Sequence, residues 1–65
     1  MKKSREPEID YDKAEELYNQ GLRDYAAGHL RDAVEFWKRC LQYNPYHKKA
    51  KANIIKTQAV IDGKK

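Results

Sequence analysis

Residues 14–47, AEELYNQGLRDYAAGHLRDAVEFWKRCLQYNPYH, contain two apolar patterns of helical period. In the first pattern, apolar or small side chains recur at helical spacing at Ala14, Leu17, Tyr18, Gly21, Leu22 and Tyr25. The second pattern is a wider stripe made of Leu30, Ala33, Val34, Trp37, Cys40 and Leu41, with Phe36 and Tyr43 on a flanking face. Because apolar residues cover more than half of its circumference, the second helix should be the central and most buried element.

The ends of both helices are indicated by capping and helix-breaking residues. Asp10 or Asp12 can cap the first helix, which we expect to begin near residue 11, and Gly28 suits the left-handed conformation that ends it. Asn44 and Pro45 should stop the second helix, because a residue before proline avoids the helical region and proline has no N–H to donate.

A third helix is expected from about residue 46 to residue 61. Its inner face carries Tyr46, Ala50, Ile54, Thr57 and Ile61, and its outer positions are rich in lysine. Short loops make consecutive helices antiparallel neighbours. The predicted fold class is all-α, with a flexible lead-in at 1–10, an antiparallel helix-turn-helix at 11–47, a third helix at 48–62 and a frayed tail at 63–65.

The composition argues against several classes of protein. A chain of 65 residues forms one small domain at most, and a single cysteine permits no internal disulfide. No apolar run approaches the about 20 residues of a transmembrane helix, and the first ten residues lack the apolar core of a signal peptide. We therefore expect no membrane insertion and a cytoplasmic location.

Catalytic and metal-binding patterns are not recognisable in the sequence. Ser4 is the only serine, and the three glycines form no phosphate-binding loop. Cys40 lies in the apolar stripe and is expected to be a buried, inert thiol. His29 is expected to substitute for a helix cap, and His47 to be a surface residue. We therefore predict no enzymatic activity, no metal site and no cofactor.

Positive charge is concentrated in the last third of the chain. The formal net charge is +4, and residues 45–65 contain six lysines against Asp62 alone. Such a segment can attract nucleic acid, an acidic peptide or anionic lipid. It can equally be a solvated helix face that keeps a small protein soluble.

The spacing of small and aromatic residues in the first two helices matches a known repeat. Ala33 follows Gly21 by twelve residues, Trp37 lies four residues further on, and Pro45 follows eight residues after that. This pattern resembles the tetratricopeptide repeat, a helix-turn-helix unit of 34 residues, whose other positions are matched by Leu17, Tyr25, Gly28 and Leu41.

The resemblance covers residues 14–47, about half of the chain. It departs from the family at Gln20 and Asp24, where leucine and tyrosine are usual, and at His29, where an acidic cap is common. The third helix does not repeat the pattern, and it resembles the capping helix that closes such arrays. The resemblance implies an α–α superhelix type of fold, made here of one repeat and one cap.

In this family, the first helices of successive repeats line a groove that binds peptides. The resemblance implies a non-enzymatic interaction module or scaffold that binds a protein or peptide, with acidic groups or a free carboxylate, on the face between helices 1 and 3. The implied binding residues are Tyr18, Asn19, Leu22, Tyr25, Lys49, Ala52, Asn53 and Lys56. It also implies that Gly21 and Ala33 face each other where the helices cross, with Trp37 beside them.

Other hypotheses remain open. The tyrosines at helical spacing can be half-buried packing groups, and the lysines can be merely solvated. A single repeat cannot cover its own hydrophobic faces, so the same face between helices 1 and 3 can instead form a homodimer. A basic nucleic-acid-binding adaptor is less favoured, because residues 45–65 contain no arginine and the acidic first helix would repel phosphates.

Overall fold

Three helices make up the part of the chain that the computed structural model describes, residues 8–63. They are α1 (Tyr11–Ala26), α2 (Leu30–Tyr43) and α3 (Lys48–Gly63), and no strand occurs within 8–63. α2 packs against both α1 and α3. The all-α helical hairpin followed by a third helix is therefore confirmed. Residues 1–7 of the predicted lead-in and 64–65 of the predicted tail lie outside the described residues.

The ends of α1 follow the capping prediction. The side chain of Asp10 accepts a hydrogen bond from the backbone N–H of Lys13 at 3.0 Å, so Asp10 rather than Asp12 is the N-cap. Gly28 adopts a φ of +88° just after the helix, as predicted. A residue with a side chain would be strained in this conformation. At the start of α2, His29 occupies the cap position but its side chain makes no capping hydrogen bond, which corrects the cap assigned to it.

α2 supplies most of the core, which confirms it as the central element. The buried apolar residues are Ala14, Ala33, Val34, Trp37, Cys40 and Ala50, four of which belong to α2. Around them lie the partly buried Leu17, Tyr18, Leu41, Ile54 and Ile61. Trp37 is the one large aromatic side chain that is fully buried within residues 8–63, so packing depends heavily on a single indole ring.

α1 and α2 are in tight contact at Gly21. The indole of Trp37 lies so near that a Cβ on residue 21 would sit 2.7 Å from its Cδ1 and 2.9 Å from its Cε2. The indole Nε1 donates a hydrogen bond to the carbonyl oxygen of Tyr18 at 3.2 Å. The resemblance implies that residue 21 is small because it faces Ala33. In the structure, the atoms nearest to a Cβ on Gly21 belong to the indole ring of Trp37, and it is this ring that excludes a side chain at residue 21.

Of the two predicted starts of the third helix, about residue 46 and residue 48, the structure has the second, and the helix ends later than predicted. It begins at Lys48, because the side chain of Asn44 accepts a hydrogen bond from the backbone N–H of Tyr46 at 3.0 Å and holds a turn there. Tyr46 is consequently 62% exposed and does not belong to the inner face of the helix. At the other end Gly63 is still helical, so the predicted fraying does not begin at residue 63. Ala50 and Thr57 are buried against α2 as expected.

Candidate functional site

The face between α1 and α3 contains two rows of side chains with the same spacing. Tyr18, Leu22 and Tyr25 lie four and three residues apart on α1, and Lys49, Asn53 and Lys56 repeat that spacing on α3. Residues at this spacing share one side of a helix. We call these six residues the interaction face.

At one end of the interaction face, α1 and α3 are joined by Tyr18. Its hydroxyl oxygen accepts a hydrogen bond from the side-chain amide of Asn53 at 3.2 Å. Its ring centroid lies 4.8 Å from that of His47 and 6.4 Å from that of Trp37. Tyr18 and Asn53, both implied as binding residues, are thus brought together. Both side chains are half-buried, and the hydrogen bond between them links α1 to α3.

His47, whose ring contacts that of Tyr18, caps the start of α3. Its Nδ1 accepts a hydrogen bond from the backbone N–H of Ala50 at 3.1 Å, which makes it the cap of the helix. Because Nδ1 accepts, the proton of the neutral ring is on Nε2, which lies 3.4 Å from a carboxylate oxygen of Glu15. The side chain is only 11% exposed. The prediction of a surface residue is therefore wrong.

The cap can be tested by replacing His47. Substitution His47→Ala removes the acceptor for the Ala50 N–H, and we expect a loss of about 1 kcal/mol in the free energy of unfolding. His47→Asn supplies a side-chain oxygen as the capping acceptor in place of Nδ1 and should recover most of this loss. Glu15→Gln, at the exposed end of the contact, should have a much smaller effect. Urea unfolding followed by circular dichroism measures all three, and equal stability of the alanine variant and the native chain would contradict the assignment.

The other end of the interaction face is open to solvent. Leu22 is 39% exposed and Tyr25 is 48% exposed, and the ring centroid of Tyr25 lies 6.0 Å from that of Trp37. On α3, Lys56 follows Asn53 by three residues toward this end, whereas Lys49 precedes Asn53 by four residues toward the other end, and both lysines are exposed. Within residues 8–63, neither lysine has a carboxylate within 4.0 Å. The interaction face therefore combines exposed apolar surface on α1 with two lysines on α3 that form no salt bridge within the described part of the chain.

Asn19 and Ala52 lie at the borders of the interaction face. Asn19 is exposed and lines a shallow recess together with Leu17 and Phe36, on the side of α1 that faces α2. Ala52 is exposed, four residues before Lys56 and seven before Ala59, at the border of the interaction face. The structure thus pairs Asn53 with Tyr18 and does not pair it with Asn19.

The site offers no arrangement of nucleophiles or metal ligands among the described residues. No group of three histidine, cysteine, aspartate or glutamate side chains converges within 8–63. Burial, together with the nearby charge of Glu15, raises the pKa of the Cys40 thiol to about 11, so the thiol is protonated at neutral pH. None of the three helices is long and apolar enough to cross a membrane.

No protein-family model, curated protein or solved structure matches this chain. Function must therefore be inferred from the residues of the interaction face and their surroundings.

Proposed function

We propose that this chain is a non-enzymatic interaction module that binds an extended peptide or protein segment on the interaction face. The exposed surface of Leu22 and Tyr25, on the same face as the exposed Lys49 and Lys56, is the observation that carries the proposal. Apolar and aromatic surface supplies contact area, and tyrosine is enriched among residues that dominate binding energy. The lysines select a partner with acidic groups or a free carboxylate.

The proposal includes a tetratricopeptide-like architecture of one repeat followed by a capping helix. It is supported by the close packing of Gly21 on Trp37 and by the turn at Pro45. Because each helix packs antiparallel to the next, α1 and α3 run in the same direction. The groove between α1 and α3 can therefore hold an extended peptide.

The spacing of the two lysines suggests where acidic groups should be. Lys49 and Lys56 are seven residues apart on α3, which corresponds to about 10 Å along the helix axis. An extended peptide advances about 3.3 Å per residue. In a peptide that lies along the groove between α1 and α3, acidic residues three positions apart would therefore meet Lys49 and Lys56.

The test is a selection from a displayed library of random peptides of about ten residues, followed by affinity measurement on the selected sequences. Leu22→Ala and Tyr25→Ala should each weaken binding by about tenfold or more. Tyr43→Ala is the matched control, because Tyr43 is also an exposed tyrosine but lies on α2. We expect it to leave affinity unchanged.

The charge preference has its own control. The double substitution Lys49→Glu with Lys56→Glu should remove the preference for acidic peptides, whereas Lys51→Glu, an exposed lysine outside the interaction face, should not. Failure to select any peptide, or equal binding by the Tyr25→Ala and Tyr43→Ala variants, would contradict the proposal. If the interaction-face substitutions instead dissociate an oligomer, the homodimer hypothesis replaces it.

A further inference from the structure

α3 carries a second row of exposed side chains, away from α2 and distinct from the interaction face. We call it the outer face, and it consists of Lys48, Ala52, Ile55, Ala59 and Asp62. Ile55 is 70% exposed, the largest exposed fraction among the large hydrophobic side chains of residues 8–63. The expectation that lysine dominates the outward surface of this helix is therefore incomplete. The outer face is apolar in its middle, from Ala52 to Ala59, and charged at its two ends, Lys48 and Asp62.

The spacing of the outer face is that of a helix-pairing seam. Positions 48, 55 and 62 are seven residues apart, and so are positions 52 and 59. A seven-residue repeat keeps the same side of one helix against another along their length. The alanines beside Ile55 are small enough to let a second helix approach closely.

The charges at the two ends of this row are unfavourable within a single chain. Lys48 is at the N-terminal end of α3, where the helix dipole is positive, and Asp62 is in the last turn, where it is negative. The carboxylate of Asp62 accepts hydrogen bonds from the side-chain amide of Gln58 at 3.3 and 3.4 Å, in an exposed position. Both charges would be stabilised by an antiparallel neighbour, whose dipole has the opposite direction.

The row is also complementary to itself. Lys48 and Asp62 lie at equal distances in sequence on either side of Ile55. When two copies of α3 are placed antiparallel and centred on Ile55, each lysine meets the aspartate of the other copy. The two isoleucines meet at the two-fold axis. A symmetric homodimer requires such a self-complementary surface.

We propose that the outer face of α3 binds the same face of a second copy of this chain in an antiparallel pair. The contact does not depend on the proposed function, since it uses none of the six residues of the interaction face. A helix of 16 residues is about 24 Å long, so the interface is smaller than that of a stable complex. We expect a dissociation constant on the order of 100 µM.

The test is sedimentation equilibrium from about 20 µM to about 2 mM, a range chosen to span that of weak complexes. Lys48→Glu or Asp62→Lys alone turns both intermolecular pairs into repulsions, and each should weaken dimerisation by about tenfold or more. The double variant restores opposite charges and should recover the native dissociation constant within about threefold. Each single change also gives α3 a charge that its dipole favours, so helicity should be retained.

Two further variants locate the contact. Lys49→Glu makes the same charge change as Lys48→Glu on the interaction face, and it should leave dimerisation unchanged. Ile55→Cys should form a disulfide-linked dimer under mild oxidation, whereas Lys56→Cys should not. The native Cys40 has no exposed surface and does not interfere. A monomer throughout the concentration range, a double variant without recovery, or equal effects of the two glutamate variants would overturn the proposal.

Discussion

Trp37→Ala is expected to leave the chain without a cooperative fold. The indole is 1% exposed and contributes most of the large apolar surface in the core, whose other fully buried members are small. Truncation of a buried tryptophan costs about 3–5 kcal/mol. In a chain this short, a single hydrophobic core rarely supplies more than about 3–5 kcal/mol of stability. The loss is therefore comparable to the whole stability.

Circular dichroism at 222 nm provides the measurement, with thermal unfolding as a second readout. Tyr46→Ala is the control, because it also removes an aromatic ring, but one that is exposed in the turn before α3. We expect the control to unfold with a native-like transition. A sharp transition in Trp37→Ala, near that of the native chain, would mean that the indole is not central to the core.

Gly21→Ala should be strongly destabilising, although alanine normally favours a helix over glycine by about 1 kcal/mol. The added methyl group would lie within 3.0 Å of three atoms of the Trp37 ring, closer than real contacts allow. The ring is held by its own packing and by the hydrogen bond to Tyr18, so it cannot move aside freely. Overpacking costs about 1–3 kcal/mol and at times more, and we expect a net loss of about 2 kcal/mol.

Gly63→Ala is the matched control for this substitution. Gly63 is also helical, and no atom lies within 4 Å of the position a Cβ would take. Urea unfolding should show a gain or no change for Gly63→Ala and a marked loss for Gly21→Ala. The double variant Gly21→Ala with Trp37→Phe replaces the indole by a smaller ring. It should be more stable than the sum of the two single effects predicts, since the clash is relieved.

The helices and their ends could be predicted because their signals are local. The period of apolar residues identifies all three helices, and the conformational limits of Gly28 and Pro45 place the turns between them. The helical period alone extends the third helix back to Tyr46, whereas α3 begins at Lys48, because the backbone N–H of Tyr46 donates a hydrogen bond to the side-chain oxygen of Asn44 and a turn forms there.

The candidate site could be predicted only in part, because its arrangement depends on contacts between distant residues. The role of His47 involves Glu15, which is 32 positions away in sequence. The sequence does contain a signal for the capping role of His47, because His47 directly precedes the third helix predicted at 48–62. The resemblance to the tetratricopeptide repeat implies that Asn19 and Asn53 both bind a partner, and it does not indicate that Asn53 donates a hydrogen bond to Tyr18.

The position of α2 between two helices that hardly touch each other has a kinetic consequence. Most tertiary contacts join helices that are adjacent in sequence, so the loops that must close during folding are short. Chains with such local contacts fold within microseconds to milliseconds. The hairpin of α1 and α2 contains nearly all of the core and can form first, after which α3 docks on a surface that already exists.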